Sequence, residues 1–295
     1  MSAPAHQSDP VVSSVAGNDS SGRLSPTTDR WSRGRVHLLS RSAICVIVAC
    51  ALGSLLYTPQ SLAAYALDVL CRTYLVFLGT VMAHEGTHGL LGRTGTSNSW
   101  WARLALLPSM VPYTNFRRTH LLHHRFTNLG DRDPDHFIKP RRDWELPLRT
   151  IAMPHHWFFW LLKRDQIDRS HVRDLALNYA GILFVYAIFL NIVGPARLFS
   201  AMFPTLILVS LLLWYPFAYL THEGFSTGDA ATRSHDYYGQ FMFWFSMGLS
   251  LHRAHHMHPH LAWIELRQFV RQDPIGGVRL LPRRHITRRT NTDAS

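Results

Sequence analysis

The chain has 295 residues, 47% of them apolar and only 17% charged, with a formal net charge of +11 and 19 histidines. The apolar share is enough to bury a large core and excludes disorder for most of the chain, and the three cysteines, Cys45, Cys50 and Cys71, all in apolar stretches, exclude a disulfide scaffold. The positive balance leaves two ordinary partners, nucleic acid or an anionic membrane surface, and the placement of the charges decides between them.

Residues 1–37 are rich in Ser, Pro, Gly, Asp and Arg and carry no apolar period, so they read as a disordered basic tail. An apolar run that starts after about 40 polar residues comes too late for a signal peptide. A membrane domain is expected over 38–276, with a second basic tail at 277–295. Four long apolar stretches open it: 42–60 without a charge, 62–83 with only Asp68 and Arg72, and 175–194 and 198–221 without a charge. Asp68 and Arg72 stand four apart and can pair on one helix face. Each stretch approaches the roughly 20 residues that cross a hydrocarbon core. They pair as two hairpins, one tight around Pro59 and one around 194–197. Three shorter apolar pieces, 100–113, 151–162 and 241–251, read as interfacial or buried helices. The mean hydropathy of −0.03 therefore averages two populations, uncharged spans and polar segments.

Of the 30 lysines and arginines, 28 lie in the segment up to Arg41, between Arg93 and Arg173, or after Thr221. Basic residues mark the cytoplasmic side of a membrane protein. The expected fold is therefore all-α: a polytopic membrane protein, placed in a bacterial inner membrane, with four transmembrane helices and a cytoplasmic histidine-rich di-metal cap. Nucleic acid drops out as a partner, because the arginines flank spans and form no stripe with interleaved aromatics.

The histidines cluster. The second apolar stretch ends in His84-Glu-Gly-Thr-His88; further on come His120-Leu-Leu-His123-His124 and His252-Arg-Ala-His255-His256. Positions i, i+3 and i+4 of a helix share a face, so each box turns two or three imidazoles to one point. Eight imidazoles at one membrane face imply a metal site, for two ions. His222, in Tyr219-Leu-Thr-His222-Glu223 at the end of the fourth stretch, is expected as a ninth ligand. A lone histidine is ordinarily a surface or core residue, and His6, His37, His155, His156, His171, His235, His258, His260 and His285 read that way. Imidazole suits Zn, Cu, Fe and Ni alike, so three chemistries compete. His84-Glu85-x-x-His88 fits a membrane zinc metalloprotease with Glu85 as general base, which leaves six clustered histidines unexplained. A metal transporter would place polar ligands near the bilayer midplane, where these spans have almost none. The third is a membrane di-iron oxygenase.

The series H-x3-H, H-x2-HH and H-x2-HH, placed after the second and fourth spans, resembles the membrane fatty acid desaturase superfamily, over about Thr80 to Arg267. That superfamily includes acyl desaturases, hydroxylases, and carotenoid ring hydroxylases and ketolases. The segment His123-His-Arg-Phe-Thr-Asn-Leu-Gly-Asp-Arg-Asp-Pro-Asp-His136-Phe is similar to the second box of bacterial β-carotene hydroxylases, as are Tyr219-Leu-Thr-His222 and His255-His-Met-His-Pro259-His-Leu-Ala-Trp263. Ala218 stands where some acyl desaturases carry an asparagine.

The resemblance implies two iron ions held by the nine imidazoles, O₂ as co-substrate, and desaturation or hydroxylation of an unactivated C–H bond in a lipid, with a fatty acyl chain ahead of a carotenoid ring. Histidine ligands usually donate their second N–H to a carboxylate or carbonyl. Glu85, Asp131, Asp133, Asp135, Glu223 and Asp236 are candidates, with Asp135 and Glu85 named as catalytic. An apolar tunnel is expected below the metals, with Tyr57, Trp214, Tyr215, Phe217 and Tyr219 as candidate lining. The chain shows no His-Pro-Gly-Gly haem segment and no cysteine cluster for an iron–sulfur centre, so electrons are expected from a separate protein such as a ferredoxin. The arginine-rich face offers such a donor a docking surface.

Overall fold

Apolar runs of this length fold as helices because only a helix satisfies every backbone polar group within its own segment. A computed structural model describes residues 32–225, 233–237 and 239–267, all within one unit, Trp31–Ser295. Among these residues there are eight α-helices, short 3₁₀ turns and no strand. The sequence reading of 277–295 lies outside them, as do His6 and His285.

Helix α1 (Arg33–Gly53) is capped by the Ser32 hydroxyl, which accepts from Arg35 N. Residues 33–37, taken from the sequence as tail, are therefore helical. Helix α2 (Leu62–Thr87) follows, capped by Ser61. Helices α3 (Gly95–Leu106) and α4 (Tyr113–Phe126) come next, then α5 (Glu145–Lys163) and α6 (Arg169–Trp214). Helices α7 (Gln240–Phe245) and α8 (His252–Met257) are single short turns. Helix α6 is broken at Gly194, whose φ of 77° and ψ of 164° lie outside helical space. Glycine takes that left-handed value without the Cβ clash that other residues meet. Pro195 follows it directly.

Three helical segments are long and apolar enough to cross a membrane: Arg33–Leu56, Leu62–Thr87 and Arg169–Leu220. Their outer faces expose large apolar side chains, among them Leu62, Leu183, Phe184 and Phe199. Helix α2 is the central post, packed on α1, α3, α4 and α6. At one end of the bundle, Arg72 meets both Asp68 oxygens at 2.6 Å, as the i,i+4 spacing predicts, and also donates to Ser54 Oγ and the Ala201 carbonyl. Arg197 reaches the same carboxylate at 3.0 Å. This buried knot ties the α1–α2 turn to the segment beyond the Gly194 break.

Candidate metal centre

Each histidine reaches its place by a local device. Helix α2 stops in a Schellman arrangement: Gly89 has φ +80°, Leu90 N donates to Glu85 O and Gly89 N to Gly86 O, both at 3.2 Å. Tyr113 Oη and Asn98 Nδ2 also donate to Gly86 O. The last turn of α2 is thereby fixed, with His84 and His88 one turn apart. In α4 the buried face runs through Phe116, Thr119, His120 and His123, the helical stripe that the spacing predicts.

Pro216 removes a helical hydrogen bond, and the chain passes into a π-helix over Tyr215–Leu220 before His222. Asp236 accepts from Arg253 N at 2.7 Å and Ala254 N at 3.2 Å, capping the first turn of α8 from a neighbouring segment.

These devices bring all nine predicted histidines into two groups. His84, His88, His120, His124 and His255 form one; His123, His222, His252 and His256 form the other. Within each group the donor atoms lie within 4.8 Å of one another. The second group is wholly buried, while His88 and His124 of the first are only partly so. Facing ring nitrogens meet Nε2 to Nε2: His88 and His120 at 3.0 Å, His222 and His252 at 2.9 Å, His252 and His256 at 3.1 Å, His124 and His255 at 3.1 Å.

Burial, reinforced by neighbouring imidazoles, holds His120, His124, His252, His255 and His256 well below the ordinary imidazole range. Burial and then Arg117 lower His88 to about 4; burial and then His123 lower His222 to about 3. These rings are neutral near pH 7, so each presents a lone pair. His84 Nε2, buried, has no hydrogen-bond partner among the described residues. Neutral imidazoles with lone pairs turned on a common point are the donor set a borderline transition metal takes. The residues fit such an ion in both groups.

Among the described residues, two outer nitrogens have a defined partner. His123 Nδ1 lies 3.0 Å from Asp133 Oδ1, and His222 Nδ1 lies 3.0 Å from the Arg233 carbonyl. Both geometries assign the proton to Nδ1 and leave Nε2 as the donor to the centre. Burial disfavours charge on His123, but the charges of Asp133 and Asp135 outweigh it and raise the imidazole to about 9, so near pH 7 its Nε2 carries a proton that a bound ion would displace.

The sequence favoured Asp135 as the carboxylate behind a histidine; Asp133 is the residue bonded there. Asp135 Oδ2 is 3.7 Å from His123 Nδ1, and its Oδ1 instead accepts from Trp157 Nε1 at 2.9 Å. Glu85 is buried, but its Oε2 accepts from Trp263 N at 2.7 Å and its Oε1 is 3.9 Å from His84 Nδ1, beyond hydrogen-bond reach. Asp131 and Glu223 are exposed. Outside both groups, His156 stacks on Phe137, His235 packs between Phe225 and Tyr237, and His171 Nε2 lies 2.9 Å from Asn115 Oδ1.

A narrow cavity of ≈ 40 Å³ adjoins both groups, lined by His84, His120, His123, His222 and His252 with Thr80, Val81, Phe116, Asp135, Leu213, Trp214, Phe217, Ala218 and Leu249. Trp214 and Phe217 were expected there. Tyr57 and Tyr215 are exposed, and Tyr219 is buried without lining the cavity. Phe116, Thr80, Leu213 and Leu249 were not foreseen, since nothing in their local sequence separates them from ordinary core.

Comparison with known proteins identifies a family and a relative. The family model described as fatty acid desaturase matches residues 60–274. Over 80 residues, 27% of this chain, the sequence is 34% identical to a protein of Caenorhabditis elegans described as omega-3 fatty acid desaturase fat-1; the match spans 18% of that protein's length.

Proposed function

Because the chain belongs to the fatty acid desaturase family, we propose that its two histidine groups hold two iron ions and that it oxidises an unactivated C–H bond of a membrane lipid with O₂. One observation carries the reading: nine imidazoles gathered in two groups, five of them lining one largely apolar cavity. Bound iron would supply the O₂ activation that such a C–H bond demands. Removal of two hydrogens with one O₂ gives a double bond and two waters, and hydroxylation gives an alcohol and one water. Either balance takes two further electrons, which a separate electron-transfer protein provides, and two protons from water.

The chain's own residues then have defined tasks. Asp133 and the Arg233 carbonyl hold His123 and His222 in the tautomer that turns Nε2 inward. Leu213, Trp214, Phe217 and Leu249 exclude water and align the substrate. A cavity of ≈ 40 Å³ has room for about three water-sized groups, too little for a bulky ring. That favours an extended alkyl chain over a substituted carotenoid ring. The break at Gly194 divides the third apolar segment, so the fold is read as four spans, with the histidine groups on the arginine-rich, cytoplasmic side.

A zinc metalloprotease needs Glu85 facing a metal-bound water, whereas its carboxylate is engaged by Trp263 N. The test is elemental analysis of the purified protein, with mass spectrometry of lipids from a host expressing it. About two irons per chain, and an O₂-dependent loss of two hydrogens or gain of one oxygen in an acyl lipid, are expected. Stoichiometric zinc without iron, or an unchanged lipid profile, would overturn the reading.

A further inference from the structure

Three residues that line the cavity come from three different elements: Phe116 from α4, Asp135 from the Pro134–Ile138 turn, and Trp214 from the end of α6. One side chain that does not line the cavity touches all of them. Trp157 of α5 donates its indole N–H to Asp135 at 2.9 Å. Its ring centroid is 5.4 Å from Phe116 and 5.0 Å from Trp214, crossing the latter at 89°. Only 1% of Trp157 is exposed. Helix α5 gives neither histidine group a donor, and through Trp157 it reaches the cavity wall.

We infer that Trp157 is a specificity-determining positioning residue: pinned by Asp135, it fixes the wall made by Phe116 and Trp214 and so sets how far an alkyl chain slides past the histidines. The inference rests on the proposed reading of the cavity as an acyl site. Its physical basis is rigidity. An edge-on contact with Trp214, a tilted one with Phe116 and a hydrogen bond to a buried carboxylate leave the indole one orientation, and a close-packed interior offers the wall no slack. An apolar pocket refuses or accepts one methylene with roughly 10- to 200-fold discrimination. A wall displaced by one methylene therefore changes which carbon stands beside the centre. Asp133, which bonds His123, also accepts from Asp135 N at 2.9 Å. One turn thus positions both a candidate ligand and the wall.

The test compares wild type with Trp157→Leu, Trp157→Phe, Trp214→Leu and the double variant Trp157→Leu/Trp214→Leu. The first readout needs neither iron nor turnover: displacement of bound cis-parinaric acid by saturated fatty acids of increasing length. The second is the position of the new double bond or hydroxyl in the product. Trp157→Leu should move the preferred length upward, with relative displacement changed about tenfold or more per methylene, and move the product position with it. Trp157→Phe keeps a ring and should shift less, in the same direction; it carries the test if the leucine variant does not fold. The double variant should shift by less than the sum of the two single shifts, because Trp157 acts on the wall partly through Trp214.

A Trp157→Leu protein that loses yield yet keeps the wild-type length order and product position has lost only packing, and the inference falls. It falls equally if the two shifts add, or if parinaric acid does not bind the wild type. A wild type that ranks acids by length, with the variants shifting that order as stated, but holds no iron and oxidises no lipid overturns the proposed reaction and leaves the wall standing.

Discussion

Removing the Asp133 carboxylate should weaken metal retention, and the structure gives the size of the effect. Asp133 is buried and accepts three hydrogen bonds: His123 Nδ1 at 3.0 Å, Asn128 N at 2.8 Å and Asp135 N at 2.9 Å. In Asp133→Ala two buried backbone donors and one imidazole N–H lose their acceptor. Each such loss costs about 1–3 kcal/mol, so the turn is expected to loosen by about 3–9 kcal/mol if the three losses add. Loss of a hydrogen-bonded partner behind a ligating histidine typically costs about 10- to 100-fold in metal affinity. Competition against a graded chelator, read by elemental analysis, should show that drop. Asp133→Asn keeps an oxygen for the His123 N–H and should fall less. Asp135→Asn should leave metal affinity near wild type, because Asp135 serves Trp157. An alanine variant that holds its metal as tightly as wild type, or an Asp135→Asn protein that loses as much, would refute the division of labour between the two carboxylates.

Glu85→Gln preserves an oxygen for Trp263 N–H and should keep both stability and lipid oxidation, while Glu85→Ala should melt earlier, by about 1–3 kcal/mol, with appreciable activity left; near-complete loss of activity in well-folded Glu85→Gln would restore Glu85 as a base. The depressed imidazoles predict acid sensitivity of the metal-free protein. His88 and His222 stay neutral when folded down to about 4 and about 3, whereas in the unfolded chain they take up protons below 6.5. The unfolded state then binds more protons, so stability is full above 6.5 and falls as the pH is lowered toward the folded values. Thermal melts between about pH 7 and about pH 5 should show a steadily falling Tm; a flat Tm would contradict buried neutral rings.

What the sequence made legible, and what it hid, follows the range of the interactions involved. The nine histidines could be grouped because their spacing is a helical period and their place at the ends of apolar runs is a one-dimensional signal. The break at Gly194 was visible for the same reason, as Gly194 and Pro195 between two uncharged runs. The start of α1 was not: hydropathy marks where a helix is apolar, while Ser32 caps it further upstream and buries Val36 and His37.

The two carboxylates of Asp133-Pro134-Asp135 were even harder to separate. They sit two apart in an irregular turn, where no period fixes the direction of a side chain. Asn128 at φ +64° and Gly130 at φ +49° turn the backbone, and Asp133 then caps the 3₁₀ turn at Pro134–Ile138 with the same carboxylate that meets His123. Asp135 is left facing Trp157, which lies 22 residues away on another helix. That pairing depends on how α5 packs beside α4 and α6, a long-range fact that neither residue's neighbours encode. The imidazoles lie on local periods, whereas the wall that would select the substrate is assembled from three elements brought together by packing. Closely similar histidine boxes can therefore sit over differently shaped cavities, and residues such as Trp157 are where substrate preference is to be sought.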